Sequence, residues 1–216
     1  IDNYKDKFES VAIAEPMLGE VGDDATVIND DKKAVAQAIT DEACKVAGYD
    51  SMEAAAEDGT AFVFMGHGTS HTANVTYDQM QTQMGDLGFT NAFIGTVEGE
   101  PEDTACEEVI AKVKDAGFKK VVLRPLMVVA GDHANNDMAG DDEDSWKSQF
   151  EASGAFDSVD CQIEGLGRVA AVEDLYVAHT KDAIDSLGTA DAAAEVTNDT
   201  EEASDDAAAE ETTDDA

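Results

Sequence analysis

Basic residues are scarce in this chain. Its 216 residues include 13 lysines and arginines against 49 aspartates and glutamates, which gives a formal net charge of −36. Nucleic acids and anionic membrane surfaces both recruit proteins through Lys and Arg. The composition therefore predicts that neither is a partner, and it favours the simpler interpretation that the charge keeps the protein in solution.

Long apolar runs are also lacking. A spanning helix needs about 20 consecutive apolar residues, whereas the longest apolar run, 121–130, is interrupted by Arg124 and Pro125. We therefore expect no membrane span in this chain.

Cysteine is rare too. Cys44, Cys106 and Cys161 lie far apart and form no CxxC pair, so the sequence indicates neither a disulfide framework nor a zinc site. We expect buried free thiols. The chain begins at Ile1, which leaves room for an upstream signal peptide. These features leave the compartment open; we expect a cytoplasmic location and keep an exported, periplasmic or cell-surface form as the alternative.

The last segment, 189–216, has little that could be buried. It contains eleven acids, no Lys or Arg, and Val196 as its single large aliphatic residue. Such a composition does not offset the entropy lost on ordering. We predict a disordered acidic tail without chemistry of its own.

Residues 1–188, in contrast, alternate between two patterns. Short β-rich runs occur at 9–15, 61–66, 91–97, 120–130 and 158–164, and amphipathic helical runs at 29–47, 72–86, 101–116, 142–152 and 169–187. Strands that alternate with helices predict βαβ units and a mostly parallel sheet. The nearly continuous apolar strands are typical of a sheet covered on both faces. We therefore expect an α/β fold with helices flanking a parallel sheet.

Three of these strands run into polar residues. His67 follows the run 61–66, Glu98 follows 91–97, and His133 follows 120–130. Ligands of open parallel sheets bind beyond the carboxyl ends of the strands. Two imidazoles and a carboxylate form a ligand set for a borderline divalent metal such as Zn, Co, Fe or Ni.

Each of these residues also has a structural explanation when taken alone. A histidine at a strand end can simply be hydrogen-bonded, and Glu98 can cap the helix that follows. We expect His71 on the first turn after His67, facing the same crevice. We expect His179, on the last helix, at the surface. No Walker, HExxH or GxSxG motif is present.

Three stretches together resemble a known family. "FMGHGTSHTANVTY" (64–77), "GTVEGEPE" (95–102) and "LMVVAGDHANNDMAGDDEDSWK" (126–147) are similar to the anaerobic cobalt chelatases of the CbiK type, the sirohydrochlorin cobaltochelatases. The resemblance implies a chelatase (ferrochelatase-like) fold of two α/β lobes around a tetrapyrrole cleft. It also implies that His67, Glu98 and His133 occupy the metal-binding and catalytic positions.

The family's opening "SFGT"-like strand and most of its first lobe have no counterpart here. We therefore expect residues 1–20 to be the end of an N-terminal lobe, residues 21–188 the C-terminal chelatase lobe, and 189–216 the tail. A chain without that first lobe is expected to have little activity by itself. Only two arginines, Arg124 and Arg168, are present to meet the substrate's carboxylates, so we expect much of that recognition to come from the missing lobe or from backbone N–H groups.

The function implied by the resemblance is insertion of Co²⁺ into sirohydrochlorin, a lyase reaction of anaerobic cobalamin biosynthesis. The expected partners are that tetrapyrrole, or a related one, and a divalent metal. Co²⁺ is then a substrate, no cofactor is required, and the same ligands also suit Fe²⁺, Ni²⁺ or Zn²⁺. Homo-oligomers remain open. The alternative is an exported protein that binds a tetrapyrrole, haem or a metal without turnover.

Overall fold

The computed structural model describes residues 7–188, so the predicted tail at 189–216 lies outside the described residues. Six α-helices surround four β-strands in this part of the chain. The strands are β1 (Thr60–Gly66), β2 (Ala92–Thr96), β3 (Lys120–Pro125) and β4 (Ser158–Cys161). The helices are α1 (Asp30–Ala47), α2 (Met52–Glu57), α3 (Val75–Asp86), α4 (Cys106–Asp115), α5 (Trp146–Ala152) and α6 (Ala170–Gly188).

The four strands form one parallel sheet in the order β2-β1-β3-β4. This confirms the expected α/β fold. The chain runs from β1 to one neighbour, β2, and then crosses to the other side of β1 to form β3. The direction of winding reverses there, and the carboxyl ends of β1 and β3 therefore border a crevice of the kind in which α/β sheets bind ligands.

Both faces of the sheet are covered, as the apolar strands predicted. Every residue of β1 is buried. Alternate side chains point to opposite faces, so Phe62 and Phe64 join the core beneath α1, α2, α3 and α6, whereas Val63 and Met65 join the core beneath α4 and α5. Each such side chain contributes about 1.5–3 kcal/mol through burial.

Helix α1 shows how local sequence determines an element. The Asn29 side chain accepts a hydrogen bond from the backbone N–H of Lys32 at 2.8 Å and so caps the helix. Asp30 and Asp31 in the first turn face the positive end of the helix dipole. Gly48 ends the helix with φ +84°, a left-handed conformation that favours glycine.

Several predicted elements differ from the structure. Residues 9–15 form no strand, and Ile13 within them is 71% exposed, because no neighbouring strand is there to pair with them. The strand predicted over 120–130 ends at Pro125, whose ring removes the N–H that a sheet needs. The helix predicted from 142 begins at Trp146, after the Ser145 cap. The six-residue helix α2 was not predicted, since it is too short to show a helical period.

The segment before α1 is held by side chains instead of strand pairing. The ammonium group of the buried Lys32 donates to the carbonyls of Leu18 at 2.9 Å and Glu20 at 2.6 Å. Met17 and Leu18 pack against the core on the α1 side of the sheet. Residues 17–20 thus contact the main core, while the predicted domain boundary after residue 20 stays a prediction.

His179 was predicted at the surface, and this was wrong. Its side chain is only 10% exposed. Nδ1 lies 3.1 Å from the carbonyl oxygen of Glu15, and Nε2 lies 3.3 Å from a carboxylate oxygen of Asp31. The amphipathic pattern placed His179 on the polar side of α6, but the segment before α1 folds over that side and buries it.

Arg124 is also buried, with no exposed side-chain surface. Its guanidinium donates to the Gln162 side chain at 2.7 Å and pairs with Glu164 at 3.4 Å. Arg124 therefore serves the fold and is not available to a substrate carboxylate. Among the described helices, none is long and apolar enough to cross a membrane.

Candidate metal centre

The structure brings His67 and His133 together at the carboxyl edge of the sheet. His67 follows the last residue of β1, and His133 begins a short π-helix (His133–Met138) after the loop that leaves β3. Their ring centroids are 4.7 Å apart, edge to face at 83°. The two histidines therefore border the crevice where the winding of the sheet reverses.

The backbone around His67 needs glycine on both sides. A Cβ atom on Gly66 would come within 2.3 Å of the Tyr77 ring, and Gly68 has φ +93°. The Tyr77 hydroxyl accepts a hydrogen bond from the Gly68 N–H at 2.9 Å and anchors the turn. Tyr77 was not identified from the sequence, because nothing in its spacing from His67 marks it.

The orientation of the His67 ring is set by its own turn. Nδ1 lies 2.9 Å from the carbonyl oxygen of Gly68. A carbonyl only accepts, so Nδ1 is the protonated nitrogen in the neutral ring. Nε2 then carries the free lone pair and is the atom able to bind a metal.

His133 is oriented by a carboxylate. Its Nδ1 lies 2.5 Å from Oδ2 of Asp137, one helical turn further on. Asp137 was not identified from the sequence, although a His and an Asp four residues apart on a helix are neighbours. This partner again leaves Nε2 of His133 free, in the manner of a metal-bound imidazole whose second nitrogen is held by a carboxylate.

The position of His133 differs from the expectation in one respect. The strand does not carry it, because β3 ends at Pro125 and residues 126–132 form a loop before the π-helix. Single-turn π-helices in proteins are frequent at functional sites.

Glu98 is near the histidines in the backbone, but the structure does not complete a three-residue ligand set. The Glu98 N–H donates to the carbonyl of His67 at 2.9 Å. Its exposed side chain lines a cavity of about 290 Å³ that Asp137 also lines. Within residues 7–188, no three His, Cys, Asp or Glu side chains converge on one point suited to an ion. The histidine pair is thus assembled, and the role of Glu98 as a ligand stays a prediction.

His71 does not join the pair in this structure. Its Nδ1 accepts a hydrogen bond from the Ala73 N–H at 3.0 Å and caps the 3₁₀ turn Thr72–Asn74. The ring stabilises this turn, so His71 has a structural role in the loop that follows His67.

The histidine pair has a defined chemical capacity. Two neutral imidazoles with free Nε2 lone pairs suit borderline divalent metals. Two protein ligands leave coordination positions open for a second molecule, unlike the closed four-ligand sites of structural zinc. The pair can therefore hold an ion that is passed on to a second molecule.

The parallel sheet flanked by helices, with an imidazole pair where its winding reverses, is consistent with a chelatase-like fold. The chain belongs to the cobalt chelatase (CbiK) family, whose model matches residues 1–185. Two relatives support this. A sirohydrochlorin cobaltochelatase of Salmonella typhimurium is 43% identical over 122 residues, 56% of this chain and 44% of that protein. The sirohydrochlorin cobaltochelatase CbiKC of Nitratidesulfovibrio vulgaris is 34% identical over 129 residues, 59% of this chain and 43% of that protein. The matched region thus spans less than half the length of these two relatives.

Proposed function

We propose that this protein inserts Co²⁺ into sirohydrochlorin in anaerobic cobalamin biosynthesis. The observation that carries the proposal is the contact between the His67 and His133 rings, 4.7 Å apart at the carboxyl edge of the sheet. Membership of the cobalt chelatase family and the names of the two relatives support the choice of metal and tetrapyrrole.

The chemistry requires an ion with open coordination positions and the removal of two pyrrole N–H protons. Nε2 of His67 and Nε2 of His133 would hold Co²⁺ from one side. As the macrocycle nitrogens bind the ion, their two protons would pass to Glu98 or to water, and an imidazole could take one only after its Nε2 has released the ion. Holding the ion and the macrocycle in the correct mutual orientation supplies much of the catalysis, because their translational and rotational entropy is lost on binding and no longer adds to the barrier of the reaction.

Glu98 contributes negative charge to the same edge of the sheet. A carboxylate favours the approach of a dication, and its exposed position allows it to reach an ion or a proton. We retain it as a catalytic residue and third ligand, on the strength of its backbone bond to His67. No cofactor is needed, and Fe²⁺, Ni²⁺ or Zn²⁺ would occupy the same imidazoles.

The cytoplasm is the compartment that we propose. All three cysteines are free thiols in the structure, as a reducing compartment requires.

The test is a Co²⁺ titration of the parent and of variants at each histidine. We expect His133→Ala and His67→Ala to weaken Co²⁺ binding at least as much as the roughly 10-fold to 100-fold loss that follows removal of an outer-shell partner, since each removes a direct ligand. His71→Ala is the control, because it removes an exposed imidazole nearby that belongs to a helix cap. Folded His133→Ala or His67→Ala protein with parental affinity would refute the ligand assignment.

Insertion is tested separately with the full-length protein and sirohydrochlorin. We expect the cobalt complex to appear with parent protein and not with either histidine variant. Binding of metal and tetrapyrrole in stoichiometric amounts without product would refute the enzyme and leave a binding protein.

A further inference from the structure

Two buried threonines flank the loop that carries Glu98. Thr96 is the last residue of β2, and Thr104 ends the 3₁₀ turn Glu102–Thr104. Thr96 has no exposed surface and Thr104 is 3% exposed. Their Oγ1 atoms are 2.6 Å apart. Burying a hydroxyl is unfavourable unless it is hydrogen-bonded, so the partners of these two hydroxyls indicate what the pair holds in place.

The hydrogen bonds of the two threonines run in one direction. Oγ1 of Thr104 lies 2.6 Å from the carbonyl oxygen of Pro101, which can only accept, so Thr104 donates its single proton there. The proton between the two hydroxyls must then come from Thr96. The N–H of Glu100 in turn donates to Oγ1 of Thr96 at 3.0 Å. We call this chain, from the Glu100 N–H through both hydroxyls to the Pro101 carbonyl, the threonine bridge.

The threonine bridge closes the loop formed by residues 97–101 against the turn that carries His67. Within this loop, the Glu98 N–H donates to the His67 carbonyl at 2.9 Å. A Cβ atom on Gly68 would lie 2.9 Å from Cβ of Glu98 and 3.1 Å from Oγ1 of Thr96. The Glu98 and Thr96 side chains therefore both begin in direct contact with the backbone that follows His67.

The carboxylate of Glu98 depends on this backbone for its position. The residue is exposed, and within residues 7–188 its side chain forms no hydrogen bond or ion pair. A loop held at its base presents the carboxylate over a small range of positions. A loose loop spreads the carboxylate over many positions, few of which allow it to bind an ion.

We propose that Thr96 and Thr104 are positioning residues that hold Glu98 beside His67 for binding of the metal. This inference rests on the proposed function, in which Glu98 is the third ligand. The two threonines touch neither the ion nor the macrocycle, and they act through the backbone of the loop between them.

Valine substitutions break the threonine bridge while nearly keeping the shape of the side chain. We expect Thr96→Val to weaken Co²⁺ binding by about tenfold, the lower end of the range for loss of an outer-shell partner, because Thr96 acts through the backbone of Glu98. Thr104→Val removes the other hydroxyl and should act in the same direction. Thr96→Ser keeps a hydroxyl and should restore most of the affinity.

The decisive measurement repeats Thr96→Val in a chain that lacks the Glu98 carboxylate. We expect Glu98→Ala alone to weaken Co²⁺ binding by at least about tenfold. Adding Thr96→Val to Glu98→Ala should cause no further loss, because no carboxylate remains to be positioned. A general structural role would instead give the same loss in both backgrounds, since independent effects add.

The matched control is another buried threonine. Thr40 on α1 has no exposed surface, and its hydroxyl donates to the carbonyl of Ala36 at 2.8 Å. Thr40→Val should bind Co²⁺ like the parent. Thermal unfolding of every variant shows that it is folded before titration, and Thr104→Val carries the same test if Thr96→Val does not fold.

Three results would overturn the proposal. Parental Co²⁺ affinity in folded Thr96→Val and Thr104→Val, together with weak binding by Glu98→Ala, would leave Glu98 as a ligand that needs no positioning. An equal loss with and without Glu98 would show that the threonine bridge acts on the fold. Parental affinity of Glu98→Ala would remove both the ligand and the inference. Absence of the cobalt complex in the insertion assay would refute the enzyme alone, since the Co²⁺ titrations decide this inference.

Discussion

The hydrogen bond between His133 and Asp137 predicts a graded loss of metal affinity. Replacing Asp137 with alanine removes the 2.5 Å contact that orients the His133 ring and holds the proton on Nδ1. Nε2 would remain able to bind Co²⁺, but the ring would be free to rotate and to bind in the other tautomer. We therefore expect weaker Co²⁺ binding with the fold intact.

The size of the effect follows from the exposure of the pair. Loss of a partner outside the ligands of a metal costs 10-fold to 100-fold in affinity. The side chains of His133 and Asp137 are 36% and 44% exposed, so water replaces part of the lost bond. We expect the lower end of that range, about tenfold, or about 1.4 kcal/mol of binding free energy. The order of Co²⁺ affinity should be parent, then Asp137→Ala, then His133→Ala.

The assay is a Co²⁺ titration followed by the visible absorption of the bound ion, which also reports its coordination geometry. Asp142→Ala removes the same charge five residues further on without touching His133, and it controls for long-range attraction. Asp137→Asn keeps an acceptor for Nδ1–H and should recover part of the affinity. Equal Co²⁺ affinities for Asp137→Ala and Asp142→Ala would refute the orienting role.

Three further outcomes are expected. His179→Ala should lower the free energy of unfolding by about 1–3 kcal/mol in urea titrations, because it removes both contacts of a buried imidazole. It should leave the Co²⁺ affinity unchanged. A variant as stable as the parent would contradict this prediction. Gly68→Ala should lower the free energy of unfolding by about 1–3 kcal/mol, because φ is +93° and the new Cβ would come within 2.9 Å of the Cβ of Glu98. It should also weaken Co²⁺ binding by displacing His67. The control is Gly117→Ala, whose new Cβ would contact nothing, and it should leave Co²⁺ binding unchanged. Burial raises the pKa of Cys106 to about 12 and those of Cys44 and Cys161 to about 11. At a pH below these pKa values, little of each thiol is in the reactive thiolate form. Alkylation of the folded protein at pH 8 should therefore be more than about 100-fold slower than after unfolding. Fast labelling of the folded protein would show that the thiols are accessible and ionised.

The sequence alone determined the strands and helices whose formation depends on short-range patterns of apolar and polar residues. The continuous apolar runs predicted β1, β2 and β3, because strands buried on both faces need apolar residues at every position. The amphipathic run at 29–47 predicted the start of α1 within a residue. The alternation of the two patterns predicted a parallel sheet, since parallel strands require a crossover between them. The positions after the strand ends likewise identified His67 and His133 as candidates.

Tertiary structure decided what depends on contacts between distant segments. The edge-to-face contact of His67 and His133 exists because β1 and β3 are neighbours, and the sequence does not state the order of strands. His179 is buried because residues near Glu15 fold over α6, although its helical pattern alone indicates exposure. Burial and pairing are set by which surfaces meet, and periodicity within one segment carries no information about the segment that will cover it.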